Sequence, residues 1–315
     1  MNPRRLATIA IVPLLLALAG CSLITTGPIA AFDVEPVVIY AGETVRLDAS
    51  PSSGRRSIVS YTWDLGDGRA ASGKEVTTSF QSPGRYTITL TVEDVTGRRD
   101  EAEEGIIVYL RSGTEIFHEG FSSGEPALGD WPLDPTWASP DEGAVEYVAS
   151  GPGYALHIRS TNESWHRRYA ALSLPPLRGG QKVVFSCRVM TLQNQDHSTF
   201  IIVPLRREVG SSAGSSPYYR FTSDGGGSYV QEPTAYGTDV GHPIGFKPGV
   251  YNWHTYSFSY TSSGYEFEVD GTVWRSGPLN VDITEGGDWL ILIGEESASE
   301  SCNAYYDDIV VRIEE

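Results

Sequence analysis

Polar and apolar residues alternate along much of this chain with a period of two, the pattern of strands that bury one face. In Tyr86-Thr87-Ile88-Thr89-Leu90-Thr91-Val92 the residues Tyr86, Ile88, Leu90 and Val92 share one face and three threonines the other, which predicts a half-buried antiparallel strand. Further strand-like runs cover 183–189, 200–205, 251–260, 265–269, 289–293 and 305–313, with Gly/Ser-rich loops such as 210–216 between them. No stretch sustains the spacing of an amphipathic helix, so the fold class is expected to be all-β.

Turn clusters such as Gly42-Glu43 and Pro51-Ser52-Ser53-Gly54 divide the short strands of the first part of the chain. Residues 33–110 read as an immunoglobulin-like β-sandwich, 111–114 (Arg111-Ser112-Gly113-Thr114) as a linker, and 115–315 as a larger sandwich without internal repeat, which suits a jelly roll. A chain of 315 residues is long enough for two such domains, each with its own core. The abundance of Gly (34), Pro (19) and Tyr (17) against two Met agrees with turn-rich strands. A formal charge of −17 with only 23 Lys and Arg argues against nucleic acid as a partner, because neutralising phosphates needs clustered cations.

The first twenty-one residues carry a separate message. Arg4 and Arg5 precede an apolar run over 6–19 that is too short to span a bilayer and reads as a signal peptide. It ends Leu18-Ala19-Gly20-Cys21, which resembles the bacterial lipobox. That resemblance implies cleavage before Cys21, acylation of its thiol, and a lipid anchor in the cell envelope. Ser22 is the residue type that, in Gram-negative bacteria, goes with transfer to the outer membrane. Residues 22–32 then form a tether of at most roughly 35 Å.

Two cysteines remain in an exported chain, Cys187 in a strand-like run and Cys302 just before the last strand. A disulfide between them would tie the final strand to the middle of the sandwich; the alternative is two buried free thiols.

Within the first domain, Trp63-Asp64-Leu65-Gly66-Asp67-Gly68 resembles the W-D-F-G-D-G signature of PKD domains, and Leu47-Asp48-Ala49-Ser50 and the 84–92 strand with Asp94 stand where that family has them. Trp63 is expected in the core, with Asp64 and Asp67 bonding a turn whose Gly66 and Gly68 permit positive φ. The resemblance implies a spacer or protein-contact module.

In the second domain, Trp253-His254-Thr255-Tyr256-Ser257-Phe258 leading to Tyr265-Glu266-Phe267-Glu268-Val269-Asp270-Gly271 resembles concanavalin A-like lectin/glucanase domains. Residues 305–311 look like that superfamily's closing strand and Ile116-Phe117-His118-Glu119-Gly120-Phe121 like its opening one. Asp270-Gly271 by itself predicts a tight hairpin. Glu266, Glu268 and Asp270 share a face, about 7 Å between neighbours, so Glu266 and Glu268 are candidates for the paired carboxylates of a glycosidase. Their order, Glu-x-Glu-x-Asp, departs from the Glu-x-Asp-x-(x)-Glu strand of the superfamily's glucanases, which favours a solvated hairpin face.

His118, His157, His166, His197, His242 and His254 lack the spacing of a zinc site. The resemblance implies a structural calcium ion at Asp308, which could equally pair with Arg312. Aromatic rings cover the apolar face of a sugar, and Trp131, Trp137, Trp165, Tyr218, Tyr219, Tyr229 and Tyr236, set among loop residues, are the ligand-binding candidates. The expected function is a non-catalytic carbohydrate-binding or adhesion lipoprotein with a PKD spacer. A divergent glycoside hydrolase or lyase and an envelope protein scaffold are the alternatives.

Overall fold

The computed structural model of the chain describes residues 27–121, 144–150, 153–159, 167–192, 198–203, 219–224, 227–233, 239–279, 283–294 and 303–315. The regular elements among them are all strands. The first domain holds β1 (Asp33–Glu35), β2 (Ile39–Tyr40), β3 (Thr44–Asp48), β4 (Ile58–Asp64), β5 (Ala70–Ser72), β6 (Glu75–Ser79), β7 (Gly84–Asp94) and β8 (Arg99–Tyr109). They pair as a sheet of order β1-β3-β6 facing one of order β2-β8-β7-β4-β5. The alternation read in β7 places Ile88, Leu90 and Val92 in the core against Val45, Leu47, Trp63, Phe80 and Val108.

Residues expected to belong to the tether are part of this domain. Ile29 bridges Ser53 through both backbone amides, and the Phe32 ring meets Trp63 edge to face at 5.1 Å. An aromatic ring and a donor-acceptor pair so placed are worth more inside the fold than in a solvated leash.

The second domain holds β9 (Glu115–Glu119), β10 (Ala144–Ser150), β11 (Gly153–Arg159), β12 (Arg167–Leu174), β13 (Lys182–Thr191), β14 (Ser198–Val203), β15 (Tyr219–Asp224), β16 (Gly227–Pro233) and β17 (Asp239–Pro243). It closes with β18 (Trp253–Tyr260), β19 (Gly264–Val269), β20 (Thr272–Pro278), β21 (Gly287–Gly294) and β22 (Asn303–Glu314). An eight-stranded sheet runs β10-β11-β22-β13-β18-β19-β20 with β9 also on β22, and a six-stranded sheet runs β12-β21-β14-β15-β16-β17. This is a jelly-roll sandwich. Its core interleaves the inner faces of both sheets, with Phe185 of β13 stacked on Trp289 of β21 at 4.9 Å and Tyr260 of β18 against the same indole at 5.2 Å. Asp270 and Gly271 join β19 to β20 with φ of 50° and 76°, the positive pair that a two-residue hairpin turn requires.

The linker is stitched to the second domain rather than free. Gly113 N–H donates to Ile313 O at 2.7 Å, and Ile313 N–H donates to Thr114 O at 2.9 Å. Across the joint, Gln181 Nε2 donates to Leu110 O at 2.9 Å, Arg178 reaches the Tyr40 hydroxyl, Arg85 pairs with Glu285, and the Arg111 guanidinium lies over the Tyr40 ring at 4.8 Å.

Candidate functional site

Along β13 the residues Val183, Phe185, Cys187 and Val189 point into the core, so Arg188 and Met190 point outward. The registers then carry Met190 into a row. Trp253 of β18 pairs with Met190, Met190 with Tyr305 of β22, and Tyr305 with His157 of β11. Directly opposed residues share a face, so four neighbouring strands set Trp253, Met190, Tyr305 and His157 side by side on the outer face of the eight-stranded sheet. Trp253, Met190 and Tyr305 are half-buried, and His157 closes the row almost buried. Ring centroids are 6.5 Å apart for Trp253 and Tyr305 and 4.6 Å for Tyr305 and His157. Asn303 Oδ1 holds His157 Nε2 at 2.8 Å, which orients the imidazole.

Beside the row lies a charged cluster. The Arg188 guanidinium sits over the Trp253 ring at 4.8 Å while its Nη1 donates to Asp307 at 3.3 Å and Asp308 at 3.0 Å. Two acids meet one arginine because β22 bulges here: pairing with β13 slips between Ser186 and Arg188, and Asp308 adopts φ of 43°. Burial pushes the Asp307 carboxyl above its ordinary pKa, the Arg188 charge opposing that shift. Tyr251 precedes Trp253 by two residues, just outside β18. Its N–H donates to Thr191 O at 2.9 Å, its φ is 61°, and its side chain is 69% exposed. A tyrosine held in the left-handed region with its ring in water is backbone strain kept at a surface point.

The acidic hairpin occupies another part of this face. Glu266 lines an open cavity of about 360 Å³ with Lys182, Ser259, Thr261, Tyr265 and Ser276, and Glu268 lies outside that lining. Serines stand opposite both acids, Ser259 to Glu266 and Ser257 to Glu268. Asp270 is engaged by the turn itself: it accepts Thr255 N–H at 2.9 Å and meets His254 Nδ1 at 2.7 Å. His254 thus orders a hairpin, its Nε2 lying 2.9 Å from Pro248 O.

Asp308, expected to ligate calcium, faces the Arg188 guanidinium and the His118 imidazole instead. Arg188 Nη1 is 3.0 Å from one oxygen and His118 Nε2 3.7 Å from the other. A guanidinium at that distance repels a divalent ion, so this donor set does not fit calcium, and Arg312, its expected alternative partner, pairs with Glu314. Among the described residues no group of three or more His, Cys, Asp and Glu gathers to hold a metal ion.

The expected Cys187–Cys302 bridge is not formed: Cys187 is a free, buried thiol. It belongs to the inward row of β13, while the last strand's Ala304 pairs with Thr191, about 13 Å further along β13. Burial raises the thiol pKa well above its ordinary value, so it behaves as a small apolar side chain. Cys21, Cys302, Trp131, Trp137, Trp165, Tyr218 and Tyr236 lie outside the described residues. Of the remaining aromatic candidates, Tyr219 pairs with Ile202 and Tyr229 with Thr222 and Pro243, which puts both in strands of the six-stranded sheet rather than in loops.

In the first domain the motif residues build a turn. Trp63 is buried with its Nε1 donating to Gly73 O at 2.8 Å; Asp64 accepts Gly66 N–H at 2.8 Å and Asp67 accepts Arg69 N–H at 3.0 Å. Gly66 and Gly68 hold φ of 76° and 83°.

The chain is similar to carbohydrate-binding modules of the β-sandwich superfamily (18% identity, 90% of this chain and 98% of that one, TM-score 0.30). It is also similar to a β-glucanase of Bacillus licheniformis (12% identity, 65% and 100%, TM-score 0.42). In the N-terminal region the chain is 33% identical over 81 residues to the pre-pro-metalloprotease PrtV of Vibrio cholerae, a span of 26% of this chain and 8% of that protein. Residues 25–108 match the PKD domain family, and the N-terminal region of this chain is a PKD domain.

Proposed function

We propose that this chain is an exported lipoprotein, acylated at Cys21, whose PKD domain holds a non-catalytic glycan-binding sandwich away from the membrane. The observation that carries the reading is the row Trp253, Met190, Tyr305 and His157, flanked by Arg188 and Asp308. The half-buried rings of Trp253 and Tyr305, with the Met190 thioether between them, offer stacking surface to the apolar faces of sugar units. The neighbouring guanidinium and carboxylates supply directed partners for hydroxyls. Glu266 lines the open cavity and Glu268 stands outside that lining, which favours binding over hydrolysis by this carboxylate pair.

Titration of the mature protein against a polysaccharide panel by calorimetry tests this. Trp253→Ala and Tyr305→Ala each weaken binding by about tenfold or more, at roughly 1–3 kcal/mol per stacked ring. Glu266→Gln leaves affinity unchanged. Breakdown of the polysaccharide that disappears in Glu266→Gln would instead establish a hydrolase or lyase, and an empty panel with a co-purifying envelope protein would establish the scaffold role.

A further inference from the structure

We propose that the end of the first domain where the chain enters is a docking surface for an anionic phospholipid bilayer. The surface is assembled by three segments brought together at that end. Gly27, the first described residue, lies beside Arg98, the Cβ of which is 4.0 Å from the position a Cβ would take on the glycine. Ile29 bridges Ser53, which leads into Arg55 and Arg56. Arg56 Nη1 donates to Thr96 Oγ1 at 3.3 Å and Val95 N–H to Ser57 O at 3.1 Å, tying that loop to the β7–β8 hairpin. Arg55, Arg56 and Arg98 are all exposed, and Ile29 (53%) and Val95 (57%) stand among them.

Among the described residues, the carboxylates at this end are held by other groups of the domain. Asp94 is 2% exposed and turned inward to accept Thr96 N–H, Thr96 Oγ1 and Arg98 N–H, Asp100 accepts Ala30 N–H, and Glu93 pairs with Arg99. Cationic and apolar side chains are thus concentrated at one end of a chain whose formal charge is −17. Guanidinium forks match phosphate oxygens, and isolated aliphatic side chains between them can enter the headgroup layer.

Position names the occupant. Arg85, at the opposite end of β7, contacts Glu285 of the second domain, so the arginine end faces away from that domain, about 30 Å along the strand. The inference rests on the lipid-anchored reading in one respect: five residues separate Cys21 from Gly27, so an acylated Cys21 would keep this surface within about 20 Å of the bilayer.

The test uses the unacylated chain from Ser22 onward, both domains intact, sedimented with phosphatidylcholine vesicles and with vesicles containing phosphatidylglycerol. Binding to the anionic vesicles is expected, weakening as salt rises. The variant Arg55→Gln/Arg56→Gln/Arg98→Gln loses it on the order of 100-fold, three cations being removed from the surface, while Arg85→Gln at the far end leaves it intact. Thermal unfolding of each variant separates lost binding from lost folding. Equal binding to both vesicle types, or retention in a folded triple variant, overturns the surface. Acylation is read independently from the mass of the mature protein: an unmodified Cys21 with intact vesicle preference sinks the anchor alone, and an acylated Cys21 without that preference sinks the surface alone.

Discussion

At Gly66 a single hydrogen decides whether the first domain can close. A Cβ there would stand 2.4 Å from the Thr87 carbonyl oxygen and 2.9 Å from its nitrogen, both backbone, at a φ of 76°. Gly66→Ala combines that clash with left-handed strain, so it is expected to cost about 3 kcal/mol, read as an earlier urea midpoint for this domain. Nearby carboxylates set the response to acid. Hydrogen bonds from Arg69 hold Asp67, and hydrogen bonds from Thr96 hold Asp94, below the ordinary value of 3.8. A group whose folded pKa is depressed contributes stability that is present above its unfolded pKa and lost as pH falls through the folded one. Stability of the wild-type domain should therefore decline below about pH 4. Asp94→Asn should flatten that decline while lowering stability at pH 7, as acid titration followed by tryptophan fluorescence would show.

At the scale of elements, local pattern was legible and register was not. The alternation from Tyr86 to Val92 predicts its strand, and Asp270-Gly271 predicts its hairpin, because both are written in consecutive residues. Trp253, Met190, Tyr305 and His157 are scattered over about half the chain and meet only through the order β18-β13-β22-β11. Trp253 and Tyr305 stood in the strand motifs of the resemblance, yet nothing in the sequence paired them. Gly and Ser neighbours mark loop aromatics as exposed, whereas Trp253 and Tyr305 reach the surface half-buried, on the outer face of a sheet. Cys187 failed for a related reason: an exported chain with two cysteines suggests a bridge, but the parity of β13 turns this thiol into the core. A thiol reagent added to the unreduced protein should leave Cys187 unlabelled while folded and label it on denaturation, with peptide mapping to identify the site. Failure to label it in denaturant without reductant would restore the disulfide.

At the scale of the molecule, what matters is how firmly the first domain presents the second. A flexible spacer would leave the linker amides open to solvent, but here Gly113 and Thr114 extend the pairing of β22 through Ile313. Around that backbone hinge, Arg178 with Tyr40, Gln181 with the Leu110 carbonyl and Arg85 with Glu285 hold the domains from separate directions. Each exposed pair is worth at most about 1 kcal/mol, and salt screens it, so the orientation depends on their number and on the unscreened backbone bonds. Spin labels at exposed Ser72 and Ser276 are accordingly expected to give one narrow interdomain distance distribution in the wild type. Arg85→Ala/Arg178→Ala should broaden it, and raising salt should broaden the wild type partway, while the Gly113 amide stays protected from hydrogen exchange in both. A broad wild-type distribution, or a rapidly exchanging Gly113, would mean that the sandwich swings freely on its anchor and that its outer-face row is not presented in a set direction.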